Sequence, residues 1–141
     1  MISIEVILAN IARLKKLIQQ TKAEIREQEE YLLDLEAFLS ATRSRQNAYF
    51  DNQGRRQSEL NKVSPLQSRS HTADVFYDGM HAMLTGEGHA AAAGNFDSAV
   101  AKINQAIEKC KAKIAELKRK LRQYEAELAE WQAMLASLSL A

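Results

Sequence analysis

Apolar residues recur along the N-terminal third of the chain in alternating steps of three and four. The series is Ile4, Ile7, Ile11, Leu14, Ile18, Thr21, Ile25, Gln28, Leu32, Leu35, Leu39 and Thr42, and nine of these twelve are strongly apolar. Steps of three and four return a side chain to the same side of a helix every turn, so the series predicts a heptad seam on one long α-helix. Between the seam positions stand Arg13, Lys15, Lys16, Glu24, Glu27, Glu29 and Glu36, a solvated face. Glu24, Glu27 and Glu29 can pair locally with basic residues at helical spacing, each pair adding only tenths of a kcal/mol.

A second series runs Phe96, Val100, Ile103, Ile107, Cys110, Ile114, Leu117, Leu121, Tyr124, Leu128, Trp131, Leu135 and Leu138, with the same alternation and no strongly polar member. Asn95 or Asp97 can help start this helix, and Gly94 before it is a natural break. Each seam covers about 40 residues, or on the order of 60 Å of helix.

Between the seams the pattern softens. From Arg43 to His71 the seam fails, and Arg43, Arg45, Arg55, Arg56, Lys62 and Arg69 stand against only Asp51 and Glu59, a local balance of about +4. Helix can continue to about Lys62, weakened at Asn52 and Gly54, and must stop before Pro65. Ser64 to Ser70 reads as a loop. Thr72 is a fair N-cap for a short helix carrying Val75, Phe76, Met80, Met83 and Leu84 on one side. Leu84 to Gly88 reads as a turn, and Ala90 to Ala93 lead into the last helix. The expected elements are therefore a long helix over about residues 3–62, a short one over about 72–84 and a long one over about 89–139.

Two matched seams joined by a soft middle predict an all-α fold. It is an elongated, coiled-coil-like antiparallel hairpin with a short helix and a glycine-containing turn in its middle, one helical domain over 1–141. A parallel homodimer would bury each seam against its own copy, whereas the hairpin satisfies both within one chain. In that hairpin, opposed residue numbers sum to roughly 142, so Ile11 faces Trp131, Leu14 faces Leu128 and Leu39 faces Ile103. The seam residues expected to carry it are Ile11, Leu14, Ile18, Leu32, Leu35, Leu117, Leu121, Leu128 and Trp131.

Composition narrows the chemistry. The 141 residues fit one domain, with Lys+Arg 19 against Asp+Glu 18 and a net charge of +1. That balance argues against affinity built on overall basic charge. One Cys excludes an intrachain disulfide framework and a Cys-rich zinc site. No apolar run reaches the roughly 18 residues of a membrane span, and Glu5 within the first apolar stretch argues against a signal peptide.

Candidate chemical groups are few. His71, Asp74, Asp78, His81 and His89 gather in one stretch, and His and Asp three apart can share a helical face as metal ligands do. A polar face and turn is the simpler reading, since nothing supplies fixed third and fourth ligands. Cys110 lies on the seam and reads as a small buried hydrophobe rather than a nucleophile. The carboxylates lie on solvated helices without a pocket for acid–base work. The stretch LTGEGHAAAAG has glycines but no Lys and follows no strand, so it is not a phosphate loop. Tyr49 and Phe50 interleave with the arginines, a weak nucleic-acid signal whose simpler reading is a solvated helix end. Trp131 and Tyr124 read as core packing. No enzyme activity, metal or cofactor is expected.

One feature points outward. Leu8, Leu17, Tyr31, Leu33, Phe38 and Met134 are apolar but lie off both seams. Leu17, Tyr31, Phe38 and Met134 each precede a seam residue, as do Ala99 and Ala106, so they share one flank. A two-helix hairpin cannot bury a seam and a flank together, so this groove calls for a third helix. Residues 73–84 are too short to cover it and a second copy is an alternative. Another helical protein is the expected occupant.

A long heptad helix, a polar middle, a small-residue turn with glycine and a Phe-led heptad helix together resemble the YwqH-like family. These are small helical relatives of WXG-type proteins found beside LXG toxin genes of type VII secretion in Gram-positive bacteria. Leu84, Thr85 and Gly86 occupy the place of the W-x-G turn, with Leu84 at the Trp position, and Phe96 opens the last helix. The resemblance implies a chaperone-like targeting factor that binds the helical LXG domain of a toxin and promotes its export. A second small helical protein is a further implied partner. Tyr124 is followed at the fourth position by Leu128, and Phe96 by Val100, so neither forms the family's export signal. The expected location is therefore the cytoplasm, with export only alongside the partner. Two other readings stand beside it: a coiled-coil stalk of another secretion apparatus, such as the FliJ type, and a nucleic-acid-binding hairpin using the arginines.

Overall fold

The computed structural model describes residues 2–67 and 69–140. It is all-α, with no strand among the described residues. Helix α1 spans Ile4–Asn61, a 3-10 turn spans Ser64–Leu66, α2 spans His71–Thr85 and α3 spans Glu87–Leu140. The chain packs as two compact units: residues 1–35 with 106–141, and residues 36–105. Both α1 and α3 therefore contribute to each unit.

Local chemistry explains the element ends. Ser3 begins α1, with its hydroxyl accepting from Val6 N at 3.3 Å and its carbonyl from Ile7 N at 3.2 Å. Asn52 and Gly54 do not interrupt α1, because Leu60 beyond them is buried and holds the helix down. The helix tightens at its end, where Lys62 N donates to Glu59 O and Val63 N to Leu60 O. Pro65 then sits in the first positions of the 3-10 turn, where its missing N–H costs nothing. The expected 64–70 loop includes Ser68, which lies outside the described residues.

Three boundary expectations are corrected. The N-cap of α2 is Ser70, not Thr72: Ser70 is extended (φ −148°, ψ 126°) and its Oγ accepts from Ala73 N, while Thr72 already lies within the helix. The turn expected over Leu84–Gly88 contracts to Gly86, between the end of α2 at Thr85 and the start of α3 at Glu87. Gly94 is no break. It lies inside α3, preceded by alanines that carry the helix across it. Gly86 does the turning instead. Its N donates to Ala82 O at 2.8 Å, and a Cβ there would collide with that same oxygen.

In the first unit, the core is a ladder of seam residues. Ile7, Ile11, Leu14, Ile18 and Ile25 of α1 are buried, as are Ile107, Cys110, Ile114 and Leu117 of α3. Burying a side chain of this size contributes about 1.5–3 kcal/mol, so the unit rests on this stripe. Its exposed ion pairs contribute little. Lys118 meets Glu29 across the helices at 3.8 Å, while Lys111–Glu108 and Arg119–Glu116 are neighbours along α3. Two seam residues with polar side-chain groups are satisfied, one along its own helix and one across to the other. The buried Thr21 hydroxyl donates to Leu17 O at 2.7 Å, and the Cys110 thiol donates to Gln28 O at 3.2 Å.

The seam ends differ from expectation. Ile4 and Leu138 are exposed, because terminal turns have no further turn to pack beneath.

In the second unit, the inward-facing stripe of α1 does not end at Arg43 but goes on half-buried. It continues through Gln46, Tyr49, Gln53 and Gln57 to Leu60, still at steps of three and four. Three of its polar side chains find partners. Gln46 Nε2 donates to Asp97 Oδ1 at 3.1 Å, Tyr49 Oη lies 2.9 Å from His89 Nδ1, and the Gln53 amide donates to Leu84 O. The last bond caps α2, whose final carbonyls have no partner within the helix. Within each unit α1 and α3 run antiparallel. Gln28 pairs with Cys110, Glu29 with Lys118 and Gln46 with Asp97, each pair summing to within about five of 142.

Candidate partner-binding surface

The off-seam apolar residues divide between the units. In the first, Leu8, Tyr31, Leu33 and Met134 are exposed and Leu17 is half-buried. Leu33 is the most open of these at 66%. In the second, Phe38 is 58% exposed. Seam residues Ile11, Leu14, Ile18 and Leu117 are buried, while Leu32, Leu35, Leu121, Leu128 and Trp131 are half-buried. Of the turn residues, Leu84 is buried, Gly86 makes the corner, and Phe96 is half-buried with its ring centroid 5.7 Å from that of Tyr49.

Phe38 lines a shallow apolar cleft of the second unit. Thr42 and Arg45 continue its α1 wall, and Ala92, Asn95, Phe96 and Ala99 form its α3 wall. The small side chains of Ala92 and Ala99 leave room above the backbone of α3. Further along α1, Asn52 and Arg56 border a second cleft, with Met80, Met83 and Leu84 of α2 opposite. Between the two, Tyr49 stacks on His89 with planes 8° apart and meets Phe50 edge-on. This aromatic cluster joins α1 to the start of α3.

His71 is exposed at the start of α2, and the other candidate histidines and aspartates of the middle have partners within the unit. Gln67 Nε2 lies 3.1 Å from Asp74 Oδ1 and 3.4 Å from Asp78 Oδ1. His81 stacks on Tyr77 and lies 3.4 Å from the Thr85 hydroxyl. His89 is engaged by Tyr49. Among the described residues no group of three or more His, Cys, Asp and Glu is placed to hold a metal ion, and no helix is long and apolar enough to cross a membrane.

The inward-facing glutamines of α1 extend the seam beyond Arg43. Gln46, Gln53 and Gln57 fall in seam register with Tyr49 and Leu60, and that spacing was the signal. Polarity concealed it, because a glutamine turned inward and half-buried is matched to partners, Asp97 for Gln46 and Leu84 O for Gln53, that only the fold supplies. No protein-family model, no curated protein and no solved structure matches the chain.

Proposed function

We propose that the chain is a non-enzymatic, chaperone-like targeting factor that binds the helical LXG domain of a type VII-secreted toxin and promotes its export. The observation that carries this reading is the apolar surface left off the buried stripe. Tyr31, Leu33 and Phe38 are each more than half exposed. Tyr31 and Phe38 are seven residues apart, one heptad along α1, so each unit leaves an aromatic of this helix open. An exposed apolar side chain beside the seam is a surface that a partner helix can cover by the kind of packing that holds α1 to α3 within each unit. The action is binding alone. Covering the partner's apolar faces keeps them from self-association before export. The factor works in the cytoplasm and leaves, if at all, with its partner.

The test is co-expression with the helical domain of a neighbouring LXG toxin, followed by size-exclusion chromatography. The expected result is one co-eluting complex. The double variant Tyr31→Glu, Phe38→Glu should elute alone with an unchanged helical circular dichroism spectrum, because neither side chain supports the core. Co-elution that survives the double variant removes the flank from the reading, and absence of any wild-type complex removes the reading itself.

A further inference from the structure

We infer that the second unit carries a charge-coded docking groove for an acidic amphipathic helix of the partner, with Arg45 and Arg56 as its reading residues. This deepens the reading above and rests on it only for the name of the partner. Phe38, Arg45, Asn52 and Arg56 each precede a member of the half-buried stripe, namely Leu39, Gln46, Gln53 and Gln57. They therefore share one flank of α1, and both clefts of this unit open on that flank. The first has Phe38, Phe96 and two alanines in its walls with Arg45 at its edge. The second has Met80 and Met83 with Arg56 at its edge. From Phe38 to Arg56 the flank is about 27 Å long, the span of a helix of roughly 18 residues.

The charge pattern decides what lies there. Both arginines are exposed, and neither is within ion-pair distance of a carboxylate among the described residues. Glu59, one helical turn from Arg56, lines a neighbouring cleft with it but is not within ion-pair distance; across the unit Asp97 accepts from Gln46, and Asp74 and Asp78 face Gln67. The groove thus offers an apolar floor with two unanswered guanidinium groups about 16 Å apart along the helix. A helix with Leu or Met on its inner face and carboxylates three turns apart at its edge answers both features. A nucleic acid answers only the second. Asp51 and Glu59 interrupt the basic run, so the flank offers no continuous positive track for a phosphate backbone.

The test uses the full chain and two synthetic 18-residue helical peptides with the same Leu/Ala stripe. One carries Glu at two edge positions eleven residues apart, and the other carries Lys there. Fluorescence anisotropy should show the Glu peptide binding wild-type chain at least about tenfold more tightly than the Lys peptide. Arg45→Glu with Arg56→Glu should reverse that order, and Phe38→Asp should weaken both peptides. Equal binding of the two peptides, or an order the double reversal leaves unchanged, overturns the inference. So does a dimer of the chain in sedimentation that excludes the Glu peptide, or a single-stranded oligonucleotide that competes it away. If an LXG domain binds regardless of Arg45 and Arg56, the groove fails while the targeting reading stands. If the Glu peptide binds with the expected reversal but no LXG domain does, the outcome is the opposite.

Discussion

Individual residues show how much of the stability rests on the seam. Leu14 is fully buried and Leu33 is 66% exposed, although both are leucines on α1 within one unit. Leu14→Ala should cost about 2–5 kcal/mol in urea unfolding, while Leu33→Ala should fall within about 0.5 kcal/mol. Comparable losses at both positions would mean that the stripe is not the core. Gln53 makes a different case. Its amide satisfies the Leu84 carbonyl at the end of α2, so Gln53→Leu strands that carbonyl and should cost about 1–3 kcal/mol. The seam leucines and isoleucines were legible in the sequence because burial selects apolar side chains at helical spacing. The glutamines of the stripe were not, because a polar residue turns inward only through a partner far along the chain. Gln46 needs Asp97 and Gln53 needs Leu84, and neither pairing follows from local pattern.

Among the elements, the glycines separate what propensity suggests from what geometry requires. Gly94 invites a helix break, yet α3 runs through it with open space where a Cβ would stand. Gly94→Ala should therefore stabilise the chain by about 0.5–1 kcal/mol, since alanine loses less backbone freedom on folding. Gly86 has the opposite role, because its Cβ would run into the Ala82 carbonyl oxygen. Gly86→Ala should destabilise by about 1–3 kcal/mol. Melting temperatures of the two variants, measured side by side, should move in opposite directions; a shift of the same sign would misplace the corner. The long helices and the short one were readable in outline from periodicity and Pro65. The ends were less so, since Ser70 and Thr72 are both acceptable caps by residue type. Only the extended backbone of Ser70, with its hydroxyl aimed at Ala73 N, distinguishes them.

For the whole molecule, the all-α fold and antiparallel pairing followed from two matched seams in one chain. The pairs 28–110 and 46–97 fall near the expected register. With Cys110 replaced by Ala, Leu14→Cys and Leu128→Cys should form a disulfide within one chain, seen as a faster-migrating monomer on a non-reducing gel. A covalent dimer would instead indicate seams paired between copies. The flank was visible in the sequence as apolar residues one position before the seam, and the exposure of Tyr31 and Phe38 belongs to that pattern. The clefts were not visible, because each needs walls from two helices: Phe38 with Phe96, and Arg56 with Met80.

If the chain is a targeting factor, it meets its helical partner through exposed apolar side chains such as Tyr31 and Phe38. Titration calorimetry of the LXG helical domain into the chain at several temperatures tests it most directly, since burial of apolar surface lowers the heat capacity. Binding should be stoichiometric, with a negative heat-capacity change that shrinks, together with the affinity, in the variant Tyr31→Glu, Phe38→Glu. Binding with no heat-capacity change, or with one that the variant leaves intact, would contradict it.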